Sequence, residues 1–183
     1  MQIIVRVKCS PEEYLGGKMQ TSMSRPKLCP NCGRVGMLVA LGYYERWVAG
    51  IGAADLRLLI RRFRCRSCGR SVSVLPDFAQ PYRLIRNTVI EGFFGGQMDR
   101  AGVQQSSDLL IRYWRRFAWW LPELRRKIGR SFGRAPPGTE PRTWWRFIIS
   151  FAGDLRRATQ RLVAKMRVTI FGCYCCHQPF RAE

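Results

Sequence analysis

Two cysteine pairs of the same form, "LCPNCGR" and "RCRSCGR", stand 32 residues apart and place Cys29, Cys32, Cys65 and Cys68 in a C-x2-C, C-x2-C pattern. A two-residue spacing lets two thiolates converge on one ion, and Gly33 and Gly69, directly after each second cysteine, permit a tight turn that aims backbone amides at the sulfurs. Four thiolates suit tetrahedral zinc and leave no coordination position open. The expected cofactor is therefore one structural Zn2+, not a catalytic metal; an iron site of rubredoxin type or unmetallated thiols are the alternatives. The gap is longer than the roughly 15 to 20 residues of the compact pattern, and a complete hairpin between the pairs accounts for it.

The second pair lies among arginines: Arg62, Arg64, Arg66 and Arg70 sit in or beside it. Lysine and arginine total 32, of which 27 are arginine, against 12 acidic residues, for a formal charge of +20. The excess is +8 over residues 1–80, +7 over 81–135 and +5 over 136–183, so it belongs to the whole molecule and not to one tail. Such a field attracts phosphate backbones, and the planar guanidinium fork suits phosphate and guanine better than an ammonium does. The N-terminus has no long apolar core of a secretory signal, and no stretch reaches about 18 consecutive apolar residues. The expected compartment is a reducing bacterial cytoplasm, with no membrane partner, where eight cysteines read as ligands or free thiols rather than disulfides.

The elements that must hold the cysteines read as follows. Residues 2–8 alternate as a short strand; "PEEYLGG" is a brief helix or turn, and "KMQTSMSRPK" is loose. "VGMLVALGYYERWV" and "LRLLIRRFRC" are two strands joined across "AGIGAAD", and "RSVSVL" is a third that stops at Pro76. About 50 residues are too few for a self-sufficient core, so a metal supplies much of the stability. "LPDFAQPY" is a hinge, after which the pattern turns helical. "RLIRNTVIEGFFGG" is one helix, and "SSDLLIRYWRRFAWWL" is a second, with a serine cap and Asp108 in the acidic first turn. Pro122 ends or kinks it, and "PELRRKIGRSF" is a further helix. "GRAPPGTEP" is a linker, and "RTWWRFIISFAGDLRRATQRLVAKM" is a last amphipathic helix on Phe147, Phe151, Leu155, Leu162 and Met166. The fold class is α+β, a small N-terminal β zinc ribbon followed by a mainly α-helical region containing a helix-turn-helix. The segments are 1–24, a strand and loose stretch; 25–78, the ribbon; 79–133, helical; and 134–183, linker, amphipathic helix and cysteine-rich tail.

At about 100° per residue, Leu110, Trp114, Phe117, Ala118 and Leu121 share one face of the second helix, opposed by Arg112, Arg115, Arg116 and Trp119. A core stripe opposed by arginines is what a groove-reading helix needs, with "AGV" at 101–103 as the turn before it. A solvated cationic face on a bundle helix is the plainer alternative. Trp119 and Trp120 stack on bases or pack against the last helix, whereas Trp144 and Trp145 read as packing residues. Cys173, Cys175, Cys176 and His177 in "CYCCH" read as tail thiols without a metal, because adjacent residues are poorly placed to share an ion.

The cysteine pairs with "GYYER" between them, the run "IRRFRCRSCGRSVSVLPDF" and the continuation to "YWRRF" resemble the N-terminal region of bacterial transposase-like proteins and a related uncharacterised zinc-ribbon family, over about residues 25 to 120. The resemblance implies a zinc ribbon followed by a helix-turn-helix that binds DNA, often at element ends, with Cys29, Cys32, Cys65 and Cys68 as zinc ligands. Nothing after residue 125 resembles the acidic strand-transfer domain of such enzymes.

Metal-dependent strand transfer needs carboxylates gathered around two ions. After residue 96 only Asp99, Asp108, Glu123, Glu140, Asp154 and Glu183 remain, scattered over helices and linkers. The single histidine makes no paired site, and no phosphate-binding glycine motif is present. The chain reads as a binding module, not an enzyme. Its expected partner is duplex DNA, as a transposase-like accessory or regulatory protein of a mobile element; RNA binding, or an adaptor role in a larger nucleoprotein complex, are the alternatives. Phosphate contacts fall to Arg62, Arg64, Arg66 and Arg70, and groove contacts to Arg112, Arg115, Arg116 and Trp119. The sequence sets no oligomeric state.

Overall fold

The computed structural model describes residues 1–48, 55–81, 83–98, 106–132 and 138–173. These fall into two units, Met1–Arg86 and the residues from Asn87 onward. The chain is α+β, with a small sheet in the first unit and mainly helices in the second.

In the first unit, β1 (Gln2–Val5), β2 (Leu38–Val48), β3 (Leu56–Cys65) and β4 (Ser71–Pro76) form one sheet in the order β1-β4-β3-β2. β2, β3 and β4 pair antiparallel in succession, while β1 lies parallel to β4. Residues 1–24 are thus part of the sheet unit rather than a segment apart. The Met1 amino group donates to Ser71 O at 2.7 Å, and Ser73 N donates to Met1 O at 2.8 Å. Helix α1 (Pro11–Gly16) is fixed by a capping box: Glu13 N donates to Ser10 Oγ, and Ser10 N donates to the Glu13 carboxylate. It carries Tyr14 onto the inner sheet face, edge-on to Phe78 at 5.5 Å, where Val7, Val48, Leu56, Leu58, Ile60 and Leu75 complete the core. Burial among these groups pushes the Tyr14 hydroxyl up to about 12.

One irregularity governs the sheet. The β2–β3 register runs Ala40↔Phe63 and then Gly42↔Arg62, so Leu41 is an extra residue in β2. Gly42 takes φ +103°, a conformation that side chains disfavour and that such a bulge requires. Because strand side chains alternate, this single insertion reverses the facing of everything beyond it. Tyr44, Arg46 and Val48 turn inward opposite Ile60, Leu58 and Leu56, and Tyr43, Glu45 and Trp47 turn outward opposite Arg61, Leu59 and Arg57.

The second unit comprises α2 (Asn87–Gly95), α3 (Ser107–Phe132), α4 (Pro141–Ala152), α5 (Leu155–Met166) and a two-strand hairpin of β5 (Val168–Thr169) and β6 (Gly172–Cys173). Phe94 is its centre, with ring centroids of Trp114, Trp145, Phe117 and Phe171 at 4.9, 5.0, 5.9 and 6.2 Å. Glu91 accepts a hydrogen bond from Leu155 N at 2.9 Å, so a side chain of α2 caps the start of α5. No described helix is long and apolar enough to cross a membrane.

Three helix boundaries differ from the sequence reading. Helix α2 opens at Asn87 and not at Arg83, because Arg86 is held in a β-bridge to Ala79. Helix α3 continues through Pro122 to Phe132 instead of restarting there. Its buried stripe, Leu110, Tyr113, Phe117, Leu121, Leu124 and Ile128, keeps helical spacing across the proline, so packing outweighs the lost backbone bond. The final amphipathic segment is two helices. Gly153 at φ +95° closes α4, and Asp154 opens α5 by accepting from Arg157 N at 2.6 Å. The buried positions are accordingly Trp144, Trp145, Ile148 and Ala152, then Leu155, Ala158, Leu162 and Val163, while Phe151 is exposed.

Candidate metal centre and the basic surface around it

The hairpin β2–β3 brings the two cysteine turns together. All four sulfurs lie within 4.8 Å of one another, with Cys29 to Cys68 at 3.7 Å and Cys32 to Cys65 at 3.8 Å. Four sulfurs held about 2.3 Å from a central ion in a tetrahedron stand about 3.8 Å apart, so these two pairs already have the spacing that a zinc ion needs.

The two turns are built alike. Gly33 N donates to Cys29 O at 2.9 Å, and Gly69 N to Cys65 O at 2.9 Å. Cys29 N donates to Arg34 O at 3.0 Å, and Cys65 N to Arg70 O at 2.9 Å. Gly33 and Gly69 take φ +73° and +71°, the left-handed turn that a side chain would strain. Arg66 N donates to Met37 O at 2.8 Å, tying the second turn to the strand that leaves the first. The electrostatics of the sulfurs diverge. Burial pushes the Cys29 thiol up to about 11, whereas the Arg70 amide directed at Cys68 brings that thiol down to about 6. A cation bound here would favour the thiolate form of each cysteine, and four sulfurs would fill its shell.

The arginines expected beside the cluster are differently placed. Arg64, Arg66 and Arg70 are exposed. Arg62 is half-buried, its guanidinium 5.6 Å from the centre of the Tyr44 ring on the inner side. Arg34 is exposed and occupies in the first turn the position of Arg70 in the second. Counting cysteines does not single it out; the repeated C-x-x-C-G-R hexad does.

On α3 Leu110, Phe117 and Leu121 are buried as the helical wheel gives them, but Trp114 and Ala118 are half-buried and Tyr113 takes a core place the wheel does not give it. Arg112, Arg115, Arg116 and Trp119 are exposed, and Trp119, at 68 %, is the most exposed aromatic among the described residues. Arg112 Nε reaches its own helix at Asp108 O, 3.4 Å away. Arg116 is tied inward: Nε donates to Phe171 O at 2.9 Å and the guanidinium lies 4.4 Å from the Trp119 ring centre. The turn expected at Ala101–Val103, the hairpin loop around Gly50–Gly52 and the cysteines and histidine at 175–177 lie outside the described residues. Cys173 is exposed at the end of β6.

Residues 29–114 match the model of a family described as a domain of unknown function (DUF6431). The matched span opens on the first cysteine of the cluster and closes on Trp114 in α3. No curated protein and no solved structure matches the chain.

Proposed function

We propose that this chain is a zinc-containing nucleic-acid-binding protein directed at duplex DNA, acting as an accessory or regulatory protein of a mobile element. The observation that carries the reading is the pair of equivalent cysteine turns with exposed arginines built into them. Arg34, Arg64, Arg66 and Arg70 sit within two residues of a metal-ligating cysteine, on backbone fixed by hydrogen bonds at both turns. Phosphate binding rewards charge whose position is set before the encounter. In this reading the cysteines form a zinc ribbon whose metal does no chemistry, and the arginines beside it neutralise phosphates.

Helix α3 supplies the second element, as the groove-reading helix of a helix-turn-helix. Its apolar stripe packs, and Arg112 and Arg115 present guanidinium groups with the fork geometry that guanine edges accept. Arg116 and Trp119 act as one stacked unit, better suited to the backbone than to a base edge.

The test is a titration of the zinc-loaded protein with duplex DNA, single-stranded DNA and structured RNA at several salt concentrations. Duplex DNA binds tightest, and log affinity falls against log salt by about 0.9 per phosphate neutralised. Equal or tighter binding to structured RNA overturns the assignment. Negligible binding to all three favours an adaptor within a larger complex.

A further inference from the structure

The outward face of the β2–β3 hairpin is unlike the rest of the first unit. Beyond the bulge at Gly42, Tyr43, Glu45 and Trp47 of β2 stand opposite Arg61, Leu59 and Arg57 of β3. Tyr43 is 40 %, Trp47 54 % and Leu59 37 % exposed, so two aromatic rings and an aliphatic side chain form one open patch on a single strand pair. Each ring is paired with an arginine. The Arg61 guanidinium lies 4.8 Å from the Tyr43 ring centre and also donates to the Tyr43 hydroxyl; that of Arg57 lies 5.9 Å from the Trp47 ring centre. Four residues along a strand span about 14 Å, so the two ring–arginine pairs are separate stations along a path rather than one cluster.

We propose that this face is a stacking platform for the unpaired bases of a DNA strand, lying on the same strand β3 that runs into the cysteine turn. The proposal rests on the duplex-DNA reading above and adds the substrate form: duplex with an adjoining unpaired segment. Every base has a π-face, so exposed rings on a rigid sheet bind without reading sequence, and arginines beside them meet the phosphates between bases. Among the described residues the acids of this strand pair are Glu45, already paired with Arg57, and Asp55 at its end, in a chain whose net charge is +20. The polyanion is the complementary occupant. The choice of DNA over RNA follows from the duplex-DNA reading on which the platform rests.

The experiment compares four labelled DNAs by anisotropy: a blunt duplex, the same duplex with a single-stranded thymidine extension, with an abasic extension of equal length, and with a uridine RNA extension. The thymidine extension tightens binding by roughly five-fold or more for each stacked base, and the abasic extension does not, although both carry the same phosphates. The double variant Tyr43→Ala, Trp47→Ala loses that gain and keeps the blunt-duplex affinity and zinc content, and Trp47→Phe restores part of it. If the thymidine and abasic extensions bind alike, or the double variant keeps the full gain, the platform is refuted while the duplex reading stands. If the gain is present and the double variant abolishes it, yet the blunt duplex does not bind, the platform stands and the duplex reading falls. A tighter RNA extension refutes the choice of DNA, and absence of binding to every probe refutes both.

Discussion

Replacing Arg64, Arg66 and Arg70 together with glutamine separates the metal cluster from the charge it holds. All three are exposed, and their side chains make no hydrogen bond or ion pair among the described residues. Their loss therefore removes charge without unmaking structure, and surface substitutions of this kind change stability by about 0.5 kcal/mol or less. If each guanidinium neutralises one phosphate, the slope of log affinity against log salt becomes shallower by about 2.7, three times the 0.9 expected per contact on duplex DNA. Between 50 and 200 mM salt the unaltered protein then loses about 40-fold more affinity than the variant. The assay is anisotropy on one duplex at four salt concentrations, with zinc per chain measured in parallel. Unchanged zinc and a slope shallower by two to three units is the expected result. An unchanged slope with zinc retained refutes the claim that the cysteine turns aim their arginines at phosphate, and leaves the metal a purely structural clip.

Other consequences follow from the same geometry. Cys32→Ser or Cys65→Ser removes zinc and unfolds the sheet unit, since structural zinc in small domains contributes about 10–16 kcal/mol, as much as a whole domain's stability; zinc stoichiometry and circular dichroism check it, and unchanged zinc in both variants refutes the site. Pro122→Ala stabilises the helical unit by up to about 3 kcal/mol, because the proline sits inside a continuous helix; a melting temperature that falls instead shows that the proline's shape is needed there. Burial, with Asp154 nearby, raises the Glu91 carboxyl above 4.5 despite the opposing bond from Leu155 N. Folding thus favours its protonated form, and the stability this gives is complete at low pH and lost as pH rises past that raised value. Glu91→Gln keeps an acceptor for Leu155 N, removes that loss and flattens the stability profile above pH 4.5; a variant markedly less stable at neutral pH refutes the account.

The cysteine turns and the three strands around them are legible in the chain because each is specified locally. A C-x-x-C-G turn and an alternating run carry their geometry within a few residues. The bulge is not legible in that way. Gly42 lies in a run that reads as one strand, and only pairing with β3 shows that Leu41 is supernumerary and that Tyr43 and Trp47 face outward. The bond from Arg116 to Phe171 O joins residues 55 apart in sequence, so helical periodicity alone counts Arg116 with its neighbours as a groove contact. Pro122 carries a strong local stop signal that the long apolar stripe overrides. The break at Gly153–Asp154 is the reverse case: glycine after one helix and aspartate before the next are both helix-end signals, but an apolar stripe counted straight through them reads as one helix.

The equivalence of the two turns also explains why losing a cysteine and losing the arginines must differ in kind. Each turn closes a short backbone ring, glycine amide to cysteine carbonyl and cysteine amide to arginine carbonyl, so Arg34 and Arg70 are fixed within two residues of a ligand. Ordering backbone costs about 1–2 kcal/mol per residue, so two six-residue turns cost about 12–24 kcal/mol. Four Sγ–metal bonds together with the hairpin's own packing are of the size needed to offset that. With the arginines gone, the ordering remains and charge is lost, so the salt slope falls. With Cys65 gone, the arginines remain on an unordered chain, so affinity falls mainly through ordering entropy and the slope stays steep. A cysteine variant whose slope falls as far as that of the arginine variant shows that charge, and not its placement, is what the cysteines control.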